Sequence, residues 1–255
     1  MLHLNLLKRL FIKTKLMLSK IPKSFNPKLS SPYYIIRKKL LQKIIQYSSK
    51  LNGKLLDFGC GSKPYKSLFT NVDEYVGIDY ENEGHPHMNE QIDVFYDGRR
   101  LPFADAYFDS ILSSEVFEHV FNLEEILPEL NRVLKEHGKI LITCPFVWNE
   151  HEVPHDYARY TQFALKHLLE KNWFNILVVD KSGDFASTLH QMRMVFIADH
   201  FLHSMFVIGK IKTITSNIRP LLMLILNSWF LVKQHFLPKK LDWYLNNIIL
   251  AEKVI

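Results

Sequence analysis

Asp57, Gly59 and Gly61 close an apolar run, Leu55-Leu56-Asp57-Phe58-Gly59-Cys60-Gly61-Ser62, in an order that a small-molecule site can use. Glycines at the carboxyl end of a strand let the backbone turn tightly and approach a ligand, at the edge where open α/β sheets bind. A glycine-rich loop alone is weak evidence, because many turns hold two glycines. The third glycine of the dinucleotide fingerprint is missing and Lys63-Pro64 follows instead, which disfavours a pyrophosphate. The P-loop pattern is missing too.

Two further carboxylates have the right placement to complete such a site. Asp79 ends the apolar run Val76-Gly77-Ile78 and lies 22 positions after Asp57. A carboxylate there can accept hydrogen bonds from both hydroxyls of a ribose, although an Asp after a strand is also a common turn former. Asp97, with Gly98 behind it, follows a third short apolar run and is placed to accept from an exocyclic amine. A fourth run delivers Ser113-Ser114-Glu115-Val116-Phe117-Glu118-His119 to the same edge.

A later segment, Pro145 to Thr161, is dense in aromatic and proton-handling groups. His151, Glu152, His155 and Asp156 include two histidines at i and i+4, a spacing that shares a metal on a helix. Pro154 stands between them and the H-E-x-x-H order is absent, so no metal is expected from this set.

Positioning these groups requires alternating strands and helices. Strands are expected at Lys54–Phe58, Tyr75–Asp79, Ile92–Phe95, Ser110–Ser114, Lys139–Cys144 and Ile176–Lys181, with Asn247–Lys253 returning as a last strand. Helices are expected over Tyr33–Lys50, Pro64–Phe69, Leu123–Lys135 and Thr161–Lys171. The rhythm predicts an α/β fold: a Rossmann-like, seven-stranded, mostly parallel sheet with helices on both faces. The Phe-, Leu-, Ile- and Met-rich stretch 185–243 interrupts it and reads as a hydrophobic helical insertion of two or three helices before the last strand. Its longest clean apolar run, Pro220 to Val232, is too short to span a bilayer.

Charge is uneven along the 255 residues: positions 1–56 carry 13 Lys or Arg and no Asp or Glu. Residues 1–30 read as a basic amphipathic arm, with Leu6, Leu7, Leu10, Phe11, Met17, Leu18 and Ile21 at helical spacing, and residues 31–255 as the catalytic domain. The same pattern suits a helix lying on a membrane or one docked on the protein's own core. The arm favours Lys over Arg and Ser and has no continuous apolar h-region with a small-residue cleavage site, so it is read as part of the mature chain. Cys60 and Cys144 form no C-x-x-C or Cys/His pattern, and a reducing cytoplasm fits best.

The ordered set formed by Asp57-x-Gly-x-Gly, the acidic end at Asp79, Asp97 before Leu101-Pro102-Phe103, Phe108-Asp109, Glu115-x-x-Glu118-His119 and Arg132-Val133-Leu134-Lys135 before His137-Gly138 resembles a known family. It is similar to the class I S-adenosylmethionine-dependent methyltransferases of the Leu-Pro-Phe, Glu-His type, over roughly residues 54–182. The resemblance implies that Asp57, Gly59, Cys60 and Gly61 cradle the methionine part of S-adenosylmethionine. It implies that Asp79 and Tyr80 hold the ribose, that Asp97 and Gly98 meet the adenine, and that Ser114 and Glu115 lie beside the sulfonium. His137 departs from the family's Pro-Gly turn, but Gly138 is kept and the turn is expected to survive.

Methyl transfer needs alignment first and a general base only for some acceptors, such as a hydroxyl. His155 is the first candidate base and Asp156 the second, as a group that could orient it; tying the loop together with Arg159 is the competing role for both. His119 is expected to cap or pack beneath the cofactor loop. The expected acceptor is a small molecule, with a sugar or lipid-linked glycan intermediate suggested by analogy, and the site of action is the cytoplasm or the periphery of a membrane. The insertion suits a lid at a membrane surface, a dimer interface or a helical layer over the sheet. A catalytically silent protein of the same fold, recruiting partners at a membrane, is the alternative. Nucleic acid is disfavoured as a substrate, because no Asn-Pro-Pro-Tyr-like tetrapeptide follows the fourth strand and no RNA-binding module is evident.

Overall fold

A computed structural model describes residues 16–80, 91–201 and 212–254. The expected strands all form: β1 (Gly53–Phe58), β2 (Val72–Tyr80), β3 (Val94–Tyr96), β4 (Phe108–Ser114), β5 (Leu134–Pro145), β6 (Phe174–Ser182) and β7 (Asn246–Lys253). They make one seven-stranded sheet in the order β3-β2-β1-β4-β5-β7-β6. The pairs β1–β2, β2–β3, β1–β4 and β4–β5 are parallel. β1 therefore has β2 on one side and β4 on the other, and the chain changes direction of winding between β1 and β4. That switch point is where α/β sheets open a ligand crevice.

The apolar runs become central strands because both their faces are covered. Leu55, Leu56, Ile111, Ile140 and Ile142 are buried, and α2 (Leu123–Val133) lays Leu123, Ile126, Leu127, Leu130 and Val133 into the same core. α3 (Gln162–Lys171) adds Leu165 and Leu169, its start fixed by the Thr161 side chain accepting from the Ala164 amide. The expected helix at Pro64–Phe69 shrinks to one 3₁₀ turn at Lys66–Leu68. Six residues with Pro at the front hold too few hydrogen bonds to offset the cost of nucleation. β5 starts five residues earlier than expected, because the His137-Gly138 turn survives as an excursion within the strand, with His137 at φ 59°. The register on either side runs Phe108 to Leu134 and then Ser110 to Lys139.

Two compact units emerge. Among the described residues, the first holds 43–80, 91–180 and 247–254 together with 16–22, and contains nearly all of the sheet. The second joins residues 23–42 to 181–201 and 212–246, so the insertion is built with a piece of the early chain. Inside it, α4 (Phe185–Val195) opens with a reciprocal Asp184–Ser187 capping box, and α5 (Lys212–Lys233) contains Pro220. Gln191 and Asn227 are fully buried and reach back to the early segment: Gln191 Nε2 donates to the Pro32 carbonyl, and Asn227 Nδ2 donates to those of Leu29 and Ser31. α1 (Tyr34–Ser48) runs from this unit into the first. Most of the basic arm, residues 1–15, lies outside the described residues.

Candidate active site

Parallel register puts the singled-out residues along one edge. Asp57 pairs with Gly77 on one side and Leu112 on the other, Asp79 with Phe95, and Ser114 with Thr143. The four strands β3, β2, β1 and β4 thus end side by side and present Asp97, Asp79, Asp57 and Ser114–Glu115 in spatial order.

The loop after β1 is anchored on β2. The Gly59 and Cys60 amides both donate to the Ile78 carbonyl, at 3.0 and 3.1 Å, and the Gly61 amide donates to Asp79 Oδ2 at 2.8 Å. Gly59 has φ 71°, and a Cβ there would stand 2.4 Å from Val116 Cγ2 in the loop after β4. The two loops that flank the switch point therefore meet with no room for a side chain. Gly77 has the same role one layer below, since a Cβ would meet Lys63 and Cys60 at 2.3 and 2.6 Å. Lys63 in turn donates to Asp93, which also takes the Gly77 amide. These bonds outweigh Asp93's partial burial and hold its carboxyl below the usual range.

Asp57 is buried, and burial pushes its carboxyl up to about 7. The Tyr75 hydroxyl, donating at 2.6 Å, opposes that shift, and the nearby Asp79 charge adds to it. Asp97 Oδ1 accepts from the amides of Arg99 and Arg100, an Asx turn that lowers its pKa. Gly98 at φ 78° lets the backbone pass the Tyr80 ring, which a Cβ would touch at 3.0 Å. Tyr80 meets Tyr96 edge-on, and Tyr96 leans on Phe58, so an aromatic wall lies along β2 and β3.

At the end of β4 the hydroxyl directions can be deduced. Thr143 Oγ1 donates its single proton to Glu115 Oε1 at 2.8 Å, so the 2.9 Å contact with Ser114 must have Ser114 donating. Ser114 Oγ is left as an acceptor. Glu115 itself sits at φ 59°, an uncommon conformation for a residue with a side chain and one found at functional sites.

In the loop after β5 the structure follows the competing role given to Asp156, the tie to Arg159. Asp156 does not orient His155. Its carboxylate is gripped by Arg159 through Nη1 and Nη2, both at 2.6 Å, accepts the His151 amide, and lies 3.2 Å from His151 Nδ1. Burial works against its charge, but these contacts win and hold it at about 2. Arg159 also donates to the carbonyls of Trp148, Asn149 and Ala158, so it is the tie of the whole loop. His155 Nδ1 lies 2.9 Å from the Tyr157 hydroxyl. His119 does not lie beneath the cofactor loop: it faces the loop after β5, 2.7 Å from the His155 carbonyl and 3.1 Å from His151 Nε2.

Sequence reasoning missed Tyr75, Gly77, Asp93, Val116 and Thr143. Gly77 left a signal, a glycine inside a strand pattern, which often marks a close approach. The others are ordinary strand or loop residues whose role depends on which strand becomes the neighbour.

Comparison with known proteins agrees with this layout. A methyltransferase-domain family model matches residues 56–142, from β1 through most of β5. A Mycolicibacterium smegmatis protein named as an S-adenosylmethionine-dependent methyltransferase is 28% identical over 96 residues, 36% of this chain. The chain spans about 37% of the length of that curated relative. Among solved structures, the [4+2]-cyclase SpnF superposes with a TM-score of 0.52 at 17% identity, covering 86% of this chain and 82% of that one. A crystal structure of a protein from Bacillus halodurans gives 0.50 at 16%, covering 86% of this chain and all of the other. These structural likenesses establish the fold, and the cyclase shows that one fold carries more than one chemistry.

Proposed function

We propose that this chain, whose residues 56–142 match a methyltransferase-domain family model, is a class I S-adenosylmethionine-dependent methyltransferase that transfers the cofactor's methyl group to a small-molecule acceptor. The observation that carries the reading is the convergence of Asp57, the Gly59–Gly61 loop, Asp79, Asp97–Gly98 and Ser114–Glu115 at the carboxyl ends of four neighbouring strands. The donor set fits the cofactor. The Asp57 carboxyl suits the ammonium of an amino-acid end, Asp79 with Tyr80 suits a ribose diol, and Asp97–Gly98 against the Tyr80 ring suits an amine-bearing base. Cys60, buried and pushed up in pKa by that burial, serves there as packing and not as a nucleophile.

When bound, the cofactor supplies an electrophilic methyl on a sulfonium. The protein's task is then alignment and exclusion of water. Ser114 as acceptor and the Glu115 carboxylate stabilise positive charge at the end of β4. His155 remains the residue proposed to take a proton from a hydroxyl acceptor. Asp156, held ionised by Arg159, instead positions His151.

The acceptor proposed is an amphipathic sugar or lipid-linked intermediate met at a membrane surface facing a reducing cytoplasm. Among the described residues no helix is long and apolar enough to cross a membrane. α5 nevertheless exposes Ile218, Leu221, Ile225, Trp229 and Val232 along one side, with Lys233 over the Trp229 ring. An exposed apolar stripe bordered by cations suits the interface of an anionic bilayer. Co-sedimentation with anionic vesicles, lost in Ile225→Asp/Trp229→Asp, tests that part alone.

Calorimetric titration with S-adenosylmethionine and S-adenosylhomocysteine tests the main reading. Saturable binding of both, abolished in Asp79→Ala, is expected. A folded protein that binds neither overturns it and leaves the silent recruitment module.

A further inference from the structure

Outside the cofactor edge, the loops after β4 and β5 bring together three side chains of metal-ligand type. Glu118, His119 and His151 each offer one ligand atom, and these atoms lie within 4.8 Å of one another. His119 Nε2 is 3.1 Å from His151 Nε2 and 3.7 Å from Glu118 Oε1, and Glu152 Oε2 is 3.9 Å from the same nitrogen.

Three observations point to a ligand between them. First, a backbone carbonyl can only accept, so the 2.7 Å contact of His119 Nδ1 with the His155 carbonyl fixes the proton on Nδ1. The neutral ring then presents the Nε2 lone pair to the cluster. His151 Nδ1 lies 3.2 Å from the Asp156 carboxylate, which Arg159 holds in place. His119 is oriented as metal-binding imidazoles are, by a carbonyl on the far nitrogen, while His151 Nδ1 lies between the Asp156 carboxylate and Arg159 Nη2, 3.5 Å away.

Second, Glu118 is fully buried, and its Oε1, on the His119 side, has no hydrogen-bond partner. Its other oxygen takes the long Cys144 thiol contact at 3.7 Å. A buried carboxylate oxygen with no partner is costly, and an unplaced ion is one of the few things that accounts for it.

Third, the spacing is correct. Two nitrogens each about 2.0–2.1 Å from one ion, at octahedral to tetrahedral angles, stand about 2.8–3.4 Å apart. The measured 3.1 Å falls inside that span.

We propose that Glu118, His119 and His151 bind one divalent transition-metal ion of the zinc, cobalt, manganese or ferrous class, entering past Glu152. Two imidazoles and one carboxylate suit borderline ions better than magnesium or calcium, which favour all-oxygen shells. Three protein ligands leave coordination positions open, and Glu152, about half exposed, lines the approach. An acceptor oxygen held at such a position would sit at the end of β4 near Glu115. That use rests on the methyl-transfer reading; the binding does not.

The test is a cobalt titration of the untagged, chelator-stripped full chain with no S-adenosylmethionine present, read by visible d–d absorption. One equivalent of cobalt with a saturating spectrum is expected, displaced by zinc. His151→Ala, in the loop after β5, should weaken binding at least tenfold, and Glu118→Gln should do the same while keeping the side-chain shape. Exposed His137→Ala should change nothing. Absence of the spectrum in folded wild type overturns the proposal, as does a spectrum that persists in His151→Ala. Because cofactor binding is measured separately, failure here is distinguishable from failure of the methyltransferase reading.

Discussion

The Gly61 amide donates to Asp79 Oδ2 across 2.8 Å, so the carboxylate that ends β2 is held by the loop that ends β1. Asp79 has two tasks that substitution can separate. Asp79→Ala removes the acceptor for Gly61 and the proposed ribose contact together. It should abolish measurable cofactor binding and cost about 1 kcal/mol of stability. Asp79→Asn keeps a carbonyl that can accept the Gly61 amide but loses the charge. Its melting temperature should stay close to wild type while cofactor affinity falls at least tenfold, by calorimetry and thermal melts on the same samples.

Asp57 gives a pH prediction whose sign is opposite to that of an ion-paired carboxylate. Burial raises its folded pKa to about 7 from 3.8. Its contribution is most favourable below the unfolded value and is lost as pH rises from about 4 through about 7, by at most about 4 kcal/mol. Asp57→Asn keeps an acceptor for the Tyr75 hydroxyl and has nothing to ionise. Urea midpoints should therefore rise relative to wild type at pH 8 and converge with it near pH 4. A wild-type-minus-variant difference independent of pH would show that the carboxyl titrates normally.

Gly59 tests whether the two switch-point loops touch as described. Alanine there faces both the cost of φ 71° and a Val116 methyl at 2.4 Å. Gly59→Ala should lose roughly 2 kcal/mol. In Gly59→Ala/Val116→Ala the steric part disappears and only the backbone part remains, so the double variant should be more stable than the two single losses added together. Additive losses by denaturant titration would show that the loops do not meet.

The sheet was legible because its strands are continuous apolar runs buried on both faces, as in Leu55-Leu56 and Ile140-Leu141-Ile142. The glycine loop and Asp79 were legible for a related reason: they sit at fixed offsets from those runs. The loop after β5 was not. His151 and His155 looked like one pair because they are close in sequence, yet His151 turns its Nε2 to His119, 32 positions earlier. Pro154 correctly argued against a helical pair, but no local pattern could reveal a partner on a different strand's loop. The same limit hid Arg159's three carbonyl acceptors, and it hid the return of residues 23–42 to the insertion, which rests on buried amides such as Asn227 with no periodicity to read.

Arg159 and Asp156 give the last prediction. The Asp156 side chain is only 3% exposed, and its carboxylate is charged because Arg159 meets both oxygens at 2.6 Å. Removing the cation alone leaves a buried charge unpaired, so Arg159→Ala should cost about 3 kcal/mol. The double variant Arg159→Ala/Asp156→Ala should recover part of that loss. The acid side has a defined sign: a folded pKa of about 2 contributes stability that is complete above 3.8 and lost as pH falls from there through about 2. Wild type should therefore lose this contribution between about pH 4 and pH 2, whereas in Arg159→Ala protonation relieves the unpaired buried carboxylate, so the stability gap between the two should narrow as pH falls. Since Asp156 also lies 3.2 Å from His151 Nδ1, Arg159→Ala should loosen His151 and weaken cobalt binding without removing any ligand. Cobalt affinity unchanged in a folded Arg159→Ala protein would separate the loop tie from the histidine cluster.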